Sequence, residues 1–195
     1  MKRFVISVLI ADRVGVLRDI ASAIFNSGGN IDGISQTVVA NYFTVILTAT
    51  FKSDSISSQT LQESILSKFN TDEASVVVRD YKPCASPLHN VQTEKYVITI
   101  QGHDRPGILK KITEIISSKN INIEDWYVEF RENFVTHIGE VTVPAKLNIS
   151  QLRMEINSAL QPIGFACHIQ HANIFRVTNE VGPVKTMLMD KKYED

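Results

Sequence analysis

Apolar and polar residues alternate along "NYFTVILTATF" (41–51), so that Phe43, Val45, Leu47, Ala49 and Phe51 share one face of an extended chain and Thr44, Ile46, Thr48 and Thr50 the other. A strand with one buried face is predicted there, and a β-rich run, "RFVISVLIA" (3–11), predicts another. Between them the period changes. Leu17, Ile20, Ala21, Ile24 and Phe25 recur at helical spacing and predict an amphipathic helix, closed by the glycines of "NSGGN". A second helix is predicted over 58–70 on Leu61, Ile65 and Phe69, and "ASVVVRDY" predicts a closing strand. With a further strand before residue 41, the order is βαββαβ.

The same order is then repeated. Displacing the sequence by 92 positions lays Asp12, Arg13, Gly15, Leu17, Ile20, Ile24, Asn30 and Ile31 on Asp104, Arg105, Gly107, Leu109, Ile112, Ile116, Asn122 and Ile123. "NYFTVILTATF" falls on "NFVTHIGEVTV" (133–143) with no gap. A register held over some 50 residues is an internal duplication. In the second copy Leu109, Ile112, Ile115 and Ile116 form the helical stripe, Leu152, Ile156 and Leu160 mark a helix near 149–161, and "FACHIQ" follows as a strand.

Two helices can cover one face of a four-stranded antiparallel sheet. The expected fold class is therefore α+β, two ferredoxin-like βαββαβ sandwiches in tandem. The expected units are 1–81 and 94–172, joined by a linker at 82–93 that contains two prolines and has no period, and followed by an extension at 173–195. "NIFRVTNEV" in that extension is expected to add a short helix or strand.

The composition, 44% apolar and 21% charged with a net charge of -1, is that of a soluble globular chain and gives no basic surface for direct binding of nucleic acid. No apolar run reaches the roughly 18 to 20 residues that span a bilayer. Asp12 and Arg13 interrupt the N-terminal apolar run, so no signal peptide is expected and the expected location is the cytosol. Cys84 and Cys167 fit neither a disulfide framework nor a zinc motif and are expected to be ordinary thiols.

Catalytic readings fare poorly. His168 and His171 are three apart on a strand and point to opposite faces, so no metal pair is expected. His103 and Asp104 are adjacent and diverge on an extended chain, and no nucleophile motif or phosphate-binding glycine loop accompanies them. Neither an enzyme nor a cofactor is expected. The aromatics Phe43 and Phe51, which an RNA-binding sheet would expose, are assigned to the helix-facing side.

The chemistry concentrates at the two Asp-Arg-x-Gly turns. Each leads from a strand into a helix whose first N–H groups and positive end favour carboxylates and phosphates. A purely structural reading has Asp12 and Asp104 cap the helices, with Pro106 in the first helical turn. The stretches "DRVGVL" with Asn30-Ile31 and "DRPGIL" with Asn122-Ile123 resemble the signature of ACT domains, small βαββαβ modules that sense amino acids. Two copies with no attached enzyme resemble tandem ACT proteins of the glycine cleavage system transcriptional repressor type.

The resemblance implies a non-catalytic regulatory protein that binds a small amino acid at these loops and acts on a partner protein, in amino-acid or glycine metabolism. It also implies a homodimer or higher homo-oligomer. The implied ligand residues are Asp104, Arg105, Pro106, Gly107, Ile108, Leu109 and Asn122 in the second copy. In the first they are Asp12, Arg13, Val14, Gly15, Val16, Leu17 and Asn30. The alternative is a structural module that oligomerises without a ligand.

The copies differ. Only the second has the proline of the motif, and on its third strand His137 and Gly139 replace Val45 and Leu47 on the helix-facing side. Gly139 leaves room that Trp126 is expected to fill, the alternative being entry of a ligand, and His137 is expected as a hydrogen-bonded core residue. The second loop, with Asp104, Gly107 and Asn122, is expected to be the working one.

Overall fold

The computed structural model describes residues 1–53, 55–70, 73–83 and 91–178 of the 195, and the chain divides into two compact units, Met1–Cys84 and Ala85–Asp195. The first contains β1 (Lys2–Ala11), α1 (Val16–Asn26), β2 (Gly29–Val39), β3 (Tyr42–Phe51), α2 (Ser58–Leu66) and β4 (Ala74–Asp80). The second contains β5 (Thr93–His103), α3 (Ile108–Ser118), β6 (Asn122–Arg131), β7 (Phe134–Pro144), α4 (Ile149–Leu160), β8 (Phe165–His171) and a short α5 (Ala172–Thr178). Both four-stranded sheets are antiparallel, ordered β2-β3-β1-β4 and β6-β7-β5-β8. The chain is thus two ferredoxin-like α+β sandwiches, as the periodicity predicts.

Strand alternation sets which side of each sheet is covered. Phe43, Val45, Leu47, Ala49 and Phe51 of β3 are all buried, as are Phe4, Ile6, Val8 and Ile10 of β1. Phe43 and Phe51 are therefore under the helices, as expected, and unavailable for base stacking. Both units repeat a bulge at equivalent positions of their second strand, at Ile31/Gly33 and at Ile123/Asp125.

The helical stripes are displaced from the expected ones. In α1 the buried residues are Val16, Ile20, Ala23 and Ile24, whereas Leu17 and Phe25 are exposed. In α3 they are Ile108, Ile112 and Ile116, with Leu109 exposed. The residue directly after the turn glycine starts each buried face, because the turn fixes the phase with which the helix meets the sheet. The second helix is shorter than expected, ending at Leu66, with Phe69 packing on the core from the turn that follows.

The second core is repacked where the copies differ. A Cβ at Gly139 would lie 2.4 Å from two ring atoms of Trp126, so the indole fills the space that Leu47 takes in the first unit. At the far edge of the same sheet, Asn157 of α4 donates to the Cys167 carbonyl at 3.0 Å and accepts from its N–H at 2.9 Å. That side chain bonds the outward groups of Cys167 as a residue of a neighbouring strand would.

Candidate functional site

Each first strand ends in a turn whose backbone explains the Asp-Arg-x-Gly pattern. The Val16 N–H donates to the Arg13 carbonyl and the Ile108 N–H to the Arg105 carbonyl, both at 3.4 Å. Gly15 at φ 92°, ψ 0° and Gly107 at φ 84°, ψ 0° have the dihedrals of the third residue of a type II turn, where a Cβ is strained. Pro106 occupies the second residue, which favours proline; Val14 stands there in the first unit and is fully exposed.

Two expectations need correction here. Gly15 and Gly107 are themselves the helix caps, and no side chain caps either helix, so Asp12 and Asp104 are not capping residues. Pro106 lies before the cap because α3 begins at Ile108. The Asp12 and Asp104 N–H groups instead donate to the Asn41 and Asn133 carbonyls, at 2.7 and 3.0 Å, pinning each loop to the hairpin beside it. The first intrahelical bonds are made by Asp19 to the Gly15 carbonyl and by Lys111 to the Gly107 carbonyl. The N–H groups of Leu17 and Arg18, and of Leu109 and Lys110, precede these bonds and point out of the helix end.

The structure brings residues 12–17 together in one loop and 104–109 in the other, but it does not bring Asn30 or Asn122 to the loop of the same unit. Asn122 pairs with Thr142, which is opposite Lys95 near the start of β5; the loop follows His103 at its end. At about 3.3 Å per residue, roughly 26 Å of strand separates them. The Asn122 side chain is engaged locally, donating to Glu124 Oε1 at 2.9 Å. Asn30 has the corresponding place opposite Thr50 and Arg3.

The electrostatics of the two loops differ. Arg13 makes an ion pair with Asp19 at 2.9 Å and its guanidinium sits over the Phe69 ring, 5.6 Å from the centroid. Arg18 meets the same carboxylate at 2.7 Å, and the Arg18 and Arg13 hydrogen bonds hold the Asp19 carboxyl below the ordinary carboxylate range. At the corresponding positions the second unit has Lys111 and, counting from the matching helix caps Ser57 and Asn148, Leu160. Among the described residues Arg105 and Lys111 meet no carboxylate within ion-pair distance. The sequence reading overlooked this contrast, although an acid facing a lysine across the repeat was there to be seen.

Beneath the second loop is a buried polar group with nothing to bond. His137 is 3% exposed, and neither its Nδ1 nor its Nε2 has a hydrogen-bond partner; the buried Nε1 of Trp126 also lacks one. The two rings are 5.9 Å apart. Burial lowers the His137 pKa, while the Asp104 carboxylate acts across the gap in the opposite direction. The expected hydrogen-bonded core histidine is thus buried but unsatisfied. Such groups cost stability and are uncommon in protein interiors.

Other chemistry is thin among the described residues. No group of three His, Cys, Asp or Glu side chains could hold a metal ion. His168 and His171 fall on opposite faces of β8, as expected. Burial pushes the Cys167 thiol up to about 12, so it stays protonated; Cys84 lies outside the described residues. A surface pocket of about 560 Å³ lies between α4 and β8, and no described helix is long and apolar enough to cross a membrane.

Comparison with known proteins agrees with this geometry. The profile of the ACT domain matches residues 4–63, and a second ACT domain profile matches residues 94–169. A UPF0237 protein of Pyrobaculum aerophilum is 42% identical over 89 residues, 45% of this chain and 99% of the relative. One of Methanopyrus kandleri is 30% identical over 86 residues, 44% of this chain and 96% of the relative. A crystal structure of an unknown protein from Galdieria sulphuraria aligns with a TM-score of 0.71 at 20% identity, covering 88% of this chain and 98% of that one. A protein assigned as a glycine cleavage system transcriptional repressor aligns at 0.59 and 18% identity, covering 87% and 98%. At these identities the structural matches speak for the fold alone.

Proposed function

Because the chain belongs to the ACT-domain family and carries two such domains in tandem, we propose that it is a non-catalytic regulatory protein in which a small amino acid binds at the loop of the second unit. ACT domains are typically regulatory and amino-acid binding. The supporting observation in this chain is the loop 104–109. A type II turn directs the free N–H groups of Leu109 and Lys110 outward beside the unpaired Arg105, which suits a carboxylate. Asp104 supplies the acceptor for an ammonium group. Asn122 is outside this constellation within its own unit.

Ligand occupancy then alters how the protein meets a partner protein, in amino-acid or glycine metabolism. A thermal-shift panel of glycine, serine and the other amino acids at millimolar concentration tests the reading. Binding to the native state alone stabilises by about 2.7 kcal/mol at a hundredfold excess over Kd. The shift is expected to vanish in Asp104→Ala and to persist in Asp12→Ala. A panel without any shift overturns the reading.

A second reading concerns assembly. Asn157 occupies the Cys167 N–H and carbonyl on the β8 edge, whereas β6 leaves Tyr127, Val128 and Phe130 exposed on an edge strand. We propose that copies of the chain associate through β6, and a sedimentation measurement that finds only monomer at tens of micromolar would remove this proposal.

A further inference from the structure

The duplication invites the assumption that both loops do the same thing, but their charges differ. Residues 12–19 carry two cations and two anions, whereas residues 104–111 carry three cations and one anion. In the first unit the arginine of the turn is already bound. Arg13 donates to Asp19 Oδ2 at 2.9 Å and stacks on Phe69, while Arg18 donates to Asp19 Oδ1 from both Nε and Nη2 at 3.0 and 2.7 Å. Asp19 is therefore a carboxylate held at the helix end by its own chain.

The second unit lacks every part of that arrangement. Lys111 stands where Asp19 would be, the aliphatic Leu160 where Phe69 would be, and Arg105 has no partner among the described residues. Independently, His137 presents two unpartnered ring nitrogens from the core face of β7 and Trp126 an unpartnered N–H, where the first unit has Val45 and Ile34. His137 is one core-face pair inward from Val135 and Gly102, which abut the loop. Polar atoms have been placed in the interior of the unit whose loop has lost its internal anion.

We infer that the two units have divided: the second loop takes an external carboxylate at Arg105 and the α3 N-terminus, with His137 and Trp126 as its polar inner wall, while Asp19 fills that role in the first and closes it to ligand. This rests on the reading above that the second loop binds and adds what keeps the first one closed and what walls the second.

The test uses sodium acetate as a minimal carboxylate, titrated into the full 15N-labelled chain against sodium chloride of equal ionic strength. In the wild type, saturating amide shifts are expected at 107–110 and none at 15–18. Lys111→Asp, which installs the internal acid, is expected to abolish the response at 107–110. Asp19→Lys, which removes it from the first unit, is expected to create one at 15–18. Equal responses of both loops in the wild type, no response at 107–110, or an unchanged pattern in both variants overturns the inference. A failed amino-acid panel accompanied by the expected acetate pattern would sink the amino-acid reading and leave this division standing.

Discussion

At the scale of single residues, His137 is the most informative. Its ring is buried without partners, and burial lowers its pKa below the ordinary 6.5. The unfolded chain therefore binds a proton at a higher pH than the folded one. Stability of the second unit is expected to hold above pH 7 and to fall as the pH drops through 6.5 toward the depressed folded value. His137→Leu removes both the unsatisfied nitrogens and this slope. It should stabilise by about 1 to 2 kcal/mol at neutral pH, read from urea unfolding followed at Trp126. A variant less stable than the wild type with the pH slope intact would contradict the assignment. Cys167 is the inert counterpart: with its thiol pushed up to about 12, it should escape iodoacetamide at pH 8 until the chain is unfolded, as peptide mass mapping would report.

At the scale of elements, the turn controls everything after it. Gly107 at φ 84° is required by the type II geometry, so Gly107→Ala should cost about 1 to 2 kcal/mol. The first unit offers the reverse experiment. Val14 is at the position that Pro106 fills in the second, and Val14→Pro should stabilise by about 0.4 to 1 kcal/mol in thermal unfolding by restricting the unfolded chain. The same turn explains what sequence reading missed. Period and repeat gave the strands and helices, but adjacent apolar pairs such as Val16-Leu17 and Ile108-Leu109 leave the phase of the helix open by one residue. Only the approach angle set by the glycine cap decides that the first of each pair is buried.

At the scale of the whole chain, the duplication was legible because a constant offset of 92 needs no knowledge of structure. The candidate site was legible in part. Loop residues adjacent in sequence stay together in space, but Asn30 and Asn122 were grouped with them through a motif, and strand length separates them. The role of Asp19 was hidden because a helical aspartate is unexceptional alone, and acquires meaning only beside Lys111 and the ion pairs of Arg13. Two similar cores thus support two loops that differ in charge. Calorimetric titration of the full chain with the amino acid that gives the largest thermal shift tests this most directly. The account predicts one site per chain, lost in Asp104→Ala and kept in Asp12→Ala; two equal sites per chain, or a site that survives Asp104→Ala, would contradict it.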